Sequence, residues 1–258
     1  MTSPIDGALD EALASLARAP RILIALDFDG TLAPEVDVPD EARALPAARE
    51  AVDALRALPD TVVAYVSGRS LESLAHVAEY GDDLPLVGSH GLEVRLGPDD
   101  VRPAATDDDR ARVAALRGHL EPLVEAVDGA WIEQKPAGFA VHTRVVEEVA
   151  ARVLLETCRA VAAGVDAAMT VRDGKNLIEF SARDATKGDG LRVLREAFAV
   201  DAVLFAGDDV TDEDALAMLD DGDVGIKVGA APTRAGYRVA DPEGMVTVLA
   251  RLGELRAG

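Results

Sequence analysis

The sequence predicts an α/β protein with a parallel-sheet core interrupted by an inserted α+β domain. Three observations carry this. Short runs of continuous apolar residues, 22–26 first among them, have the pattern of strands covered on both faces. These runs alternate with segments of helical periodicity, and each ends in polar residues and glycine, which places a site at the carboxyl ends of the strands. Between residues 98 and 182 the order changes to helix, strand, strand, helix, strand, strand, as expected for helices on one face of an antiparallel sheet.

A chain of 258 residues can bury one large core or two modest ones, and a hydrophobic fraction of 49% argues against disorder. The formal charge of -21 makes nucleic acid and anionic membrane poor partners, because either would be repelled over most of the surface. A small anionic substrate then needs a local positive pocket. The single cysteine, Cys158, lies in an Ala- and Val-rich segment, permits no intrachain disulfide and reads as a core residue in a reducing compartment. The first residues lack the basic and apolar regions of a signal peptide, and no stretch is apolar for long enough to span a bilayer. The expectation is a cytoplasmic protein, with the oligomeric state open and a monomer favoured.

In chain order, leucines at 9, 13 and 16 suggest a lead-in helix before the strand at 22–26. That strand stops at Asp27 and Asp29, which project to the same side of an extended segment, and Gly30 lets the chain turn. Two such carboxylates are tolerable with solvent, a shared proton or a cation nearby. A helix closed by Pro59 leads to a strand at 61–66 that ends in Ser67-Gly68-Arg69. After a helix around 71–78, an apolar segment at 84–87 ends in Gly88-Ser89-His90-Gly91. An acidic link at 98–109 reads as a domain junction, so the core is expected at 1–97 and 183–258 and the insert at 98–182. Within the insert, helices at 110–127 and about 146–163 accompany a hairpin at 131–144 and a second at 167–180, turning at Asp173-Gly174. The first pattern resumes with Thr186-Lys187-Gly188 before a helix, a strand at 202–206 ending in G-D-D-V-T-D-E-D, a strand at 224–228 and a closing helix at 245–255.

Four polar tips thus form one set: Asp27 with Asp29, then Ser67, then Lys187, then Asp208 with Asp209. Oxygen ligands in that number beside one lysine suit a magnesium ion shared with phosphate oxygens. Only residues 135, 175, 187 and 227 are lysines among 26 Lys plus Arg, so a compact point charge suits those positions. Lys227 fits a solvated strand end equally well.

The four motifs D-F-D-G-T, Ser67-Gly68-Arg69, Thr186-Lys187-Gly188 and G-D-D-V-T-D-E-D resemble, in order and rough spacing, those of haloacid dehalogenase-like phosphatases. The resemblance implies a Rossmann-like parallel sheet core with an inserted α+β cap domain. It also implies that Asp27 attacks phosphorus to form an aspartyl phosphate while Asp29 protonates the leaving oxygen and later activates water. Ser67 and Lys187 would hold phosphoryl oxygens. Magnesium would sit on Asp27, the Asp29 carbonyl and Asp208, with Asp209 or Asp212 in support.

Gly88-Ser89-His90-Gly91, Glu133-x-Lys135, His142-x-Arg144 and Gly174-Lys175 followed by Glu179 are similar to the trehalose-6-phosphate phosphatases in particular, over nearly the whole chain from residue 23. That similarity implies magnesium-dependent hydrolysis of trehalose 6-phosphate in trehalose biosynthesis. It assigns substrate binding to Gly68, Arg69, His90, Glu133, Lys135, His142, Arg144, Lys175 and Glu179. A solvated edge pair for Glu133 and Lys135, and a satisfied histidine at His142, are the plain alternatives. Phe180-Ser181 and Thr143 stand where the family commonly has a basic residue with proline and a tyrosine. Another capped sugar-phosphate phosphatase, acting on sucrose phosphate or a glycosyl phosphoglycerate, and a non-catalytic sugar-phosphate-binding module are the other readings.

Overall fold

A computed structural model describes residues 5–258 apart from Asp37, Ala104 and Lys175. The chain forms two compact units, Met1–Arg102 with Ala185–Gly258, and Pro103–Asp184.

Up to the insert, the elements are α1 (Gly7–Leu16), β1 (Ile22–Leu26), α2 (Pro46–Arg56), β2 (Thr61–Val66), α3 (Leu71–Ala78), β3 (Leu86–Gly88), β4 (Glu93–Gly97) and β5 (Asp100–Arg102). The insert holds α4 (Asp107–Glu125), β6 (Trp131–Lys135), β7 (Gly138–His142), α5 (Glu148–Val165), β8 (Thr170–Gly174) and β9 (Leu177–Ser181). The chain closes with α6 (Lys187–Phe198), β10 (Ala202–Gly207), α7 (Asp212–Leu216), β11 (Val224–Val228), β12 (Tyr237–Val239) and α8 (Pro242–Ala257).

The first unit is an eight-stranded sheet in the order β12-β11-β10-β1-β2-β3-β4-β5. The strands from β12 to β3 form the expected parallel core, and β4 and β5 extend its edge antiparallel, which makes the whole sheet mixed. All five residues of β1 are buried, which accounts for its unbroken apolar run. Ile22, Ile24 and Leu26 face a core with residues of α1, α2 and α8, whereas Leu23 and Ala25 face a second core with Leu191, Leu194 and Leu216. Register pairs Leu26 with Ala206 of β10 and with Tyr65 of β2, so three polar strand tips emerge side by side.

The second unit is an antiparallel sheet in the order β6-β7-β9-β8. Val113, Leu116 and Leu120 of α4 and Leu154 and Cys158 of α5 pack on Phe139, Val141, Ile178 and Phe180. Burial pushes the Cys158 thiol up to about 11, as fits an inert core residue. Strand alternation turns Trp131, Glu133, Lys135, His142 and Glu179 to the face that these helices do not cover.

Three expectations need correction. Residues 98–102 belong to the first unit and not to the insert, because β5 pairs back on β4. At the other boundary, residues 183 and 184 stay with the insert, where the Ala182 carbonyl accepts from Arg112 and Asp184 pairs with Arg172. The turn of the second insert hairpin lies beyond Asp173-Gly174: Gly174 still pairs with Leu177, and Asn176 takes the left-handed conformation at φ 60°. Asparagine tolerates that region, so the left-handed turn residue lies two positions beyond Gly174 of the obvious dipeptide. No helix among the described residues is long and apolar enough to cross a membrane.

Candidate functional site

Asp27 leaves β1 at the sheet's carboxyl end and is 4% exposed. Its Oδ1 accepts from the Lys187 ammonium at 2.8 Å, and Lys187 also donates to Asp212 Oδ1 at 2.6 Å. Asp27, Asp208 and Asp212 each bring a carboxylate oxygen within 4.8 Å of the others. One ammonium among three carboxylates leaves negative charge unbalanced in a buried place. Burial pushes the Asp27 carboxyl up to about 8 against the pull of Lys187, and Asp212 and Asp208 push the same way. Burial first, then Asp212, likewise raises Asp208. Burial would lower Lys187, but Asp27 and Asp212 outweigh it and hold the ammonium above its ordinary value. Carboxylate oxygens with excess negative charge form a donor set suited to a hard divalent cation.

Backbone geometry permits this crowding. Gly30 has φ 74°, and a Cβ there would lie 2.2 Å from Asp208 Oδ2. Lys187 is the first residue of α6, aimed by a capping box in which Thr186 Oγ1 accepts from the Asp189 amide and Asp189 Oδ2 accepts from the Thr186 amide. Thr186→Ala should cost about 1 kcal/mol of stability. Turnover should fall with it, because the start of α6 sets where the ammonium sits. A thermal melt and a phosphate-release assay on one preparation check both.

Around this cluster stand the other expected core residues. Ser67 is 2% exposed at the tip of β2, and its Oγ accepts from the Arg69 amide. Gly68 packs against His90, since a Cβ at Gly68 would lie 2.5 Å from His90 Cε1. His90 has φ 56° and donates its amide to the Ser67 carbonyl at 3.1 Å. Arg69 forks onto Asp29 with Nε on Oδ2 at 2.6 Å and Nη2 on Oδ1 at 2.7 Å. Asp29 therefore faces Arg69, and not the cluster of Asp27. Asp212 joins the cluster, whereas the Asp209 carboxylate accepts from the Val210 amide. Asp208 follows β10 and Asp212 opens α7, so it is the turn between those elements that brings the two carboxylates together.

The trehalose-phosphatase family model matches residues 25–243. The chain belongs to the trehalose-phosphatase family. It is 32% identical over 248 residues to the bifunctional trehalose-6-phosphate synthase/phosphatase of Thermoproteus tenax, covering 95% of this chain but 33% of that protein. It is 29% identical over 217 residues to the trehalose-6-phosphate phosphatase of Escherichia coli, covering 83% of this chain and 80% of that protein. The structure of Aspergillus fumigatus trehalose-6-phosphate phosphatase aligns with a TM-score of 0.78 at 26% identity, covering 98% and 99% of the two chains.

In this member of the trehalose-phosphatases, the insert carries a polar cluster of its own. Glu133 accepts from the Lys135 ammonium at 2.6 Å and from His142 Nε2 at 2.7 Å. Lys135 first, and His142 with it, hold the Glu133 carboxyl below its ordinary value against burial. Trp131 stacks on the His142 ring with centroids 4.6 Å apart and 4° between planes. The register places Ala140 between Glu133 and Glu179, so both acids lie in one row across three strands. Arg144 is not part of this row: it lines a groove with Arg152, Arg159 and Asp173 beside α5. Lys175 lies outside the described residues. Sequence reasoning passed over Trp131, although a lone tryptophan two residues before Glu133 shares its strand face.

Proposed function

We propose that this phosphatase hydrolyses trehalose 6-phosphate to trehalose and inorganic phosphate through an aspartyl phosphate, with magnesium as cofactor. The observation that carries the reading is Asp27, a buried carboxylate at the end of the central strand and 2.8 Å from an ammonium, in a chain of this family.

An Asp27 oxygen attacks phosphorus, and the bond from phosphorus to the sugar oxygen breaks. Asp29 gives the leaving oxygen a proton, then takes one from the water that cleaves the aspartyl phosphate and restores Asp27. Both Asp29 oxygens are engaged by Arg69, so this proton step requires the fork to open. Lys187 and the Ser67 hydroxyl hold phosphoryl oxygens. Asp27, Asp208 and the Asp29 carbonyl would hold magnesium, with Asp212 behind them. The ion, when bound, supplies charge neutralisation that favours ionised Asp27 and screens the phosphoryl group. A cytoplasmic setting fits the single buried thiol.

Sugar recognition is assigned to the insert. Glu133 is held in one orientation by Lys135 and His142, and Glu179 in the same row, whose carboxylate has no hydrogen-bond partner among the described residues, is placed to take a sugar hydroxyl. Losing a charged partner of a hydroxyl costs about 1.5–3 kcal/mol, so Glu179→Ala should lower kcat/KM for trehalose 6-phosphate by roughly tenfold or more. Lys135→Ala should act similarly by freeing Glu133. Activity on p-nitrophenyl phosphate, which has no second sugar, should change little. Equal loss on both substrates would mark these residues as structural. A higher specificity constant for sucrose phosphate or a glycosyl phosphoglycerate in a panel of sugar phosphates would reassign the substrate.

A further inference from the structure

Lys227 sits in the middle of Gly225-Ile226-Lys227-Val228-Gly229 on β11 and is 1% exposed, so it is not the solvated strand end that the sequence allowed. A buried ammonium persists only where its protons find partners. Here the partners are backbone carbonyls: Nζ donates to Asp208 O at 2.6 Å and to Asp209 O at 3.2 Å. The nearest carboxylate oxygen, on Glu213, is 3.8 Å away. That long ion pair is with a residue outside the cluster of Asp27, Asp208 and Asp212, whereas Lys187 donates to two of those carboxylates directly. Lys227 instead grips the turn between β10 and α7, directly across from Gly207 in the strand register. The same turn is held from its other side, where Asp212 Oδ2 accepts from the Asp209 amide at 2.8 Å. Val224, Ile226 and Val228 show that the strand's opposite face is filled by apolar residues, so sheet packing alone does not call for a charge at 227.

We propose that Lys227 is a positioning residue: it locks the backbone of Asp208 and Asp209 so that the Asp208 carboxylate meets those of Asp27 and Asp212. The proposal rests on the reading of Asp208 as a magnesium ligand. Partners that orient metal ligands typically change metal affinity by about 10–100-fold when removed.

The test is magnesium binding to the full chain by titration calorimetry, without substrate. Lys227→Met keeps the length and removes the donors, and should weaken the magnesium Kd about tenfold or more. Lys227→Gln retains a shorter donor, should show a smaller loss, and carries the comparison alone if Lys227→Met does not fold. Ile226→Ala, a truncation on the opposite face of the same strand, should lower Tm while leaving the magnesium Kd near that of the wild type. Faster amide exchange at residues 209 and 210 in Lys227→Met would support the lock. An unchanged or tighter Kd in the lysine variants overturns the proposal, as does an equal loss in Ile226→Ala. A wild type that binds no magnesium overturns the metal reading and this proposal together, whereas a failure confined to the variants leaves the metal reading standing.

Discussion

Asp27→Asn is expected to lower kcat/KM for trehalose 6-phosphate by about 10⁴-fold or more while the protein stays folded. The amide keeps the shape of the side chain but is no longer an effective nucleophile. Removal of the charge should not unfold the site, because Lys187 keeps Asp212 at 2.6 Å as a partner. Burial already opposes the ionised form of Asp27, whose carboxyl it pushes up to about 8. The metal-free variant should therefore melt no lower than the metal-free wild type. Phosphate release, phosphoenzyme trapping and a thermal melt on the same sample separate loss of chemistry from loss of fold. Near-normal turnover in a verified preparation would sink the mechanism.

The second large effect is removal of the metal site. Asp208→Ala, or chelation of the wild type, should reduce phosphate release to background, and calcium should restore it poorly because its larger, looser shell misplaces the attacking carboxylate. Stability provides an independent reading. A ligand at about 100 times its Kd stabilises the folded state by about 2.7 kcal/mol, so magnesium should raise the wild-type Tm. Asp208→Ala should lose most of that rise. In EDTA the variant should melt as high as the wild type or higher, since one of three crowded carboxylates is gone. Full activity of the wild type in EDTA would refute the metal assignment.

Position and partner explain which features were legible in the chain. The run at 22–26 identified a strand buried on both faces, and β1 is that strand, because local apolar composition and burial are tied directly. Three of the four polar tips were legible for the same reason, since Asp27, Ser67 and Asp208 each follow an apolar run and a parallel sheet brings such ends to one side, whereas Lys187 opens α6 after a polar link. The strands β4, β5 and β12 were passed over, since they lie toward the edges of the sheet, are not buried throughout and so lack the continuous apolar run that marks β1. The insert boundary shifted with β5, whose pairing on β4 is a tertiary fact.

Within the candidate site, residue types and order along the chain announced Asp27, Lys187 and Asp208, but not their partners. Asp29 turns to Arg69, forty positions away, and the buried cluster takes in Asp212 while the neighbouring Asp209 carboxylate accepts from a backbone amide. Lys227 looked equally suited to solvent until the strand register set it across from Gly207 with its ammonium on two carbonyls. A charged side chain chooses among partners by distance and by desolvation, and those quantities exist only once distant strands have been brought into register.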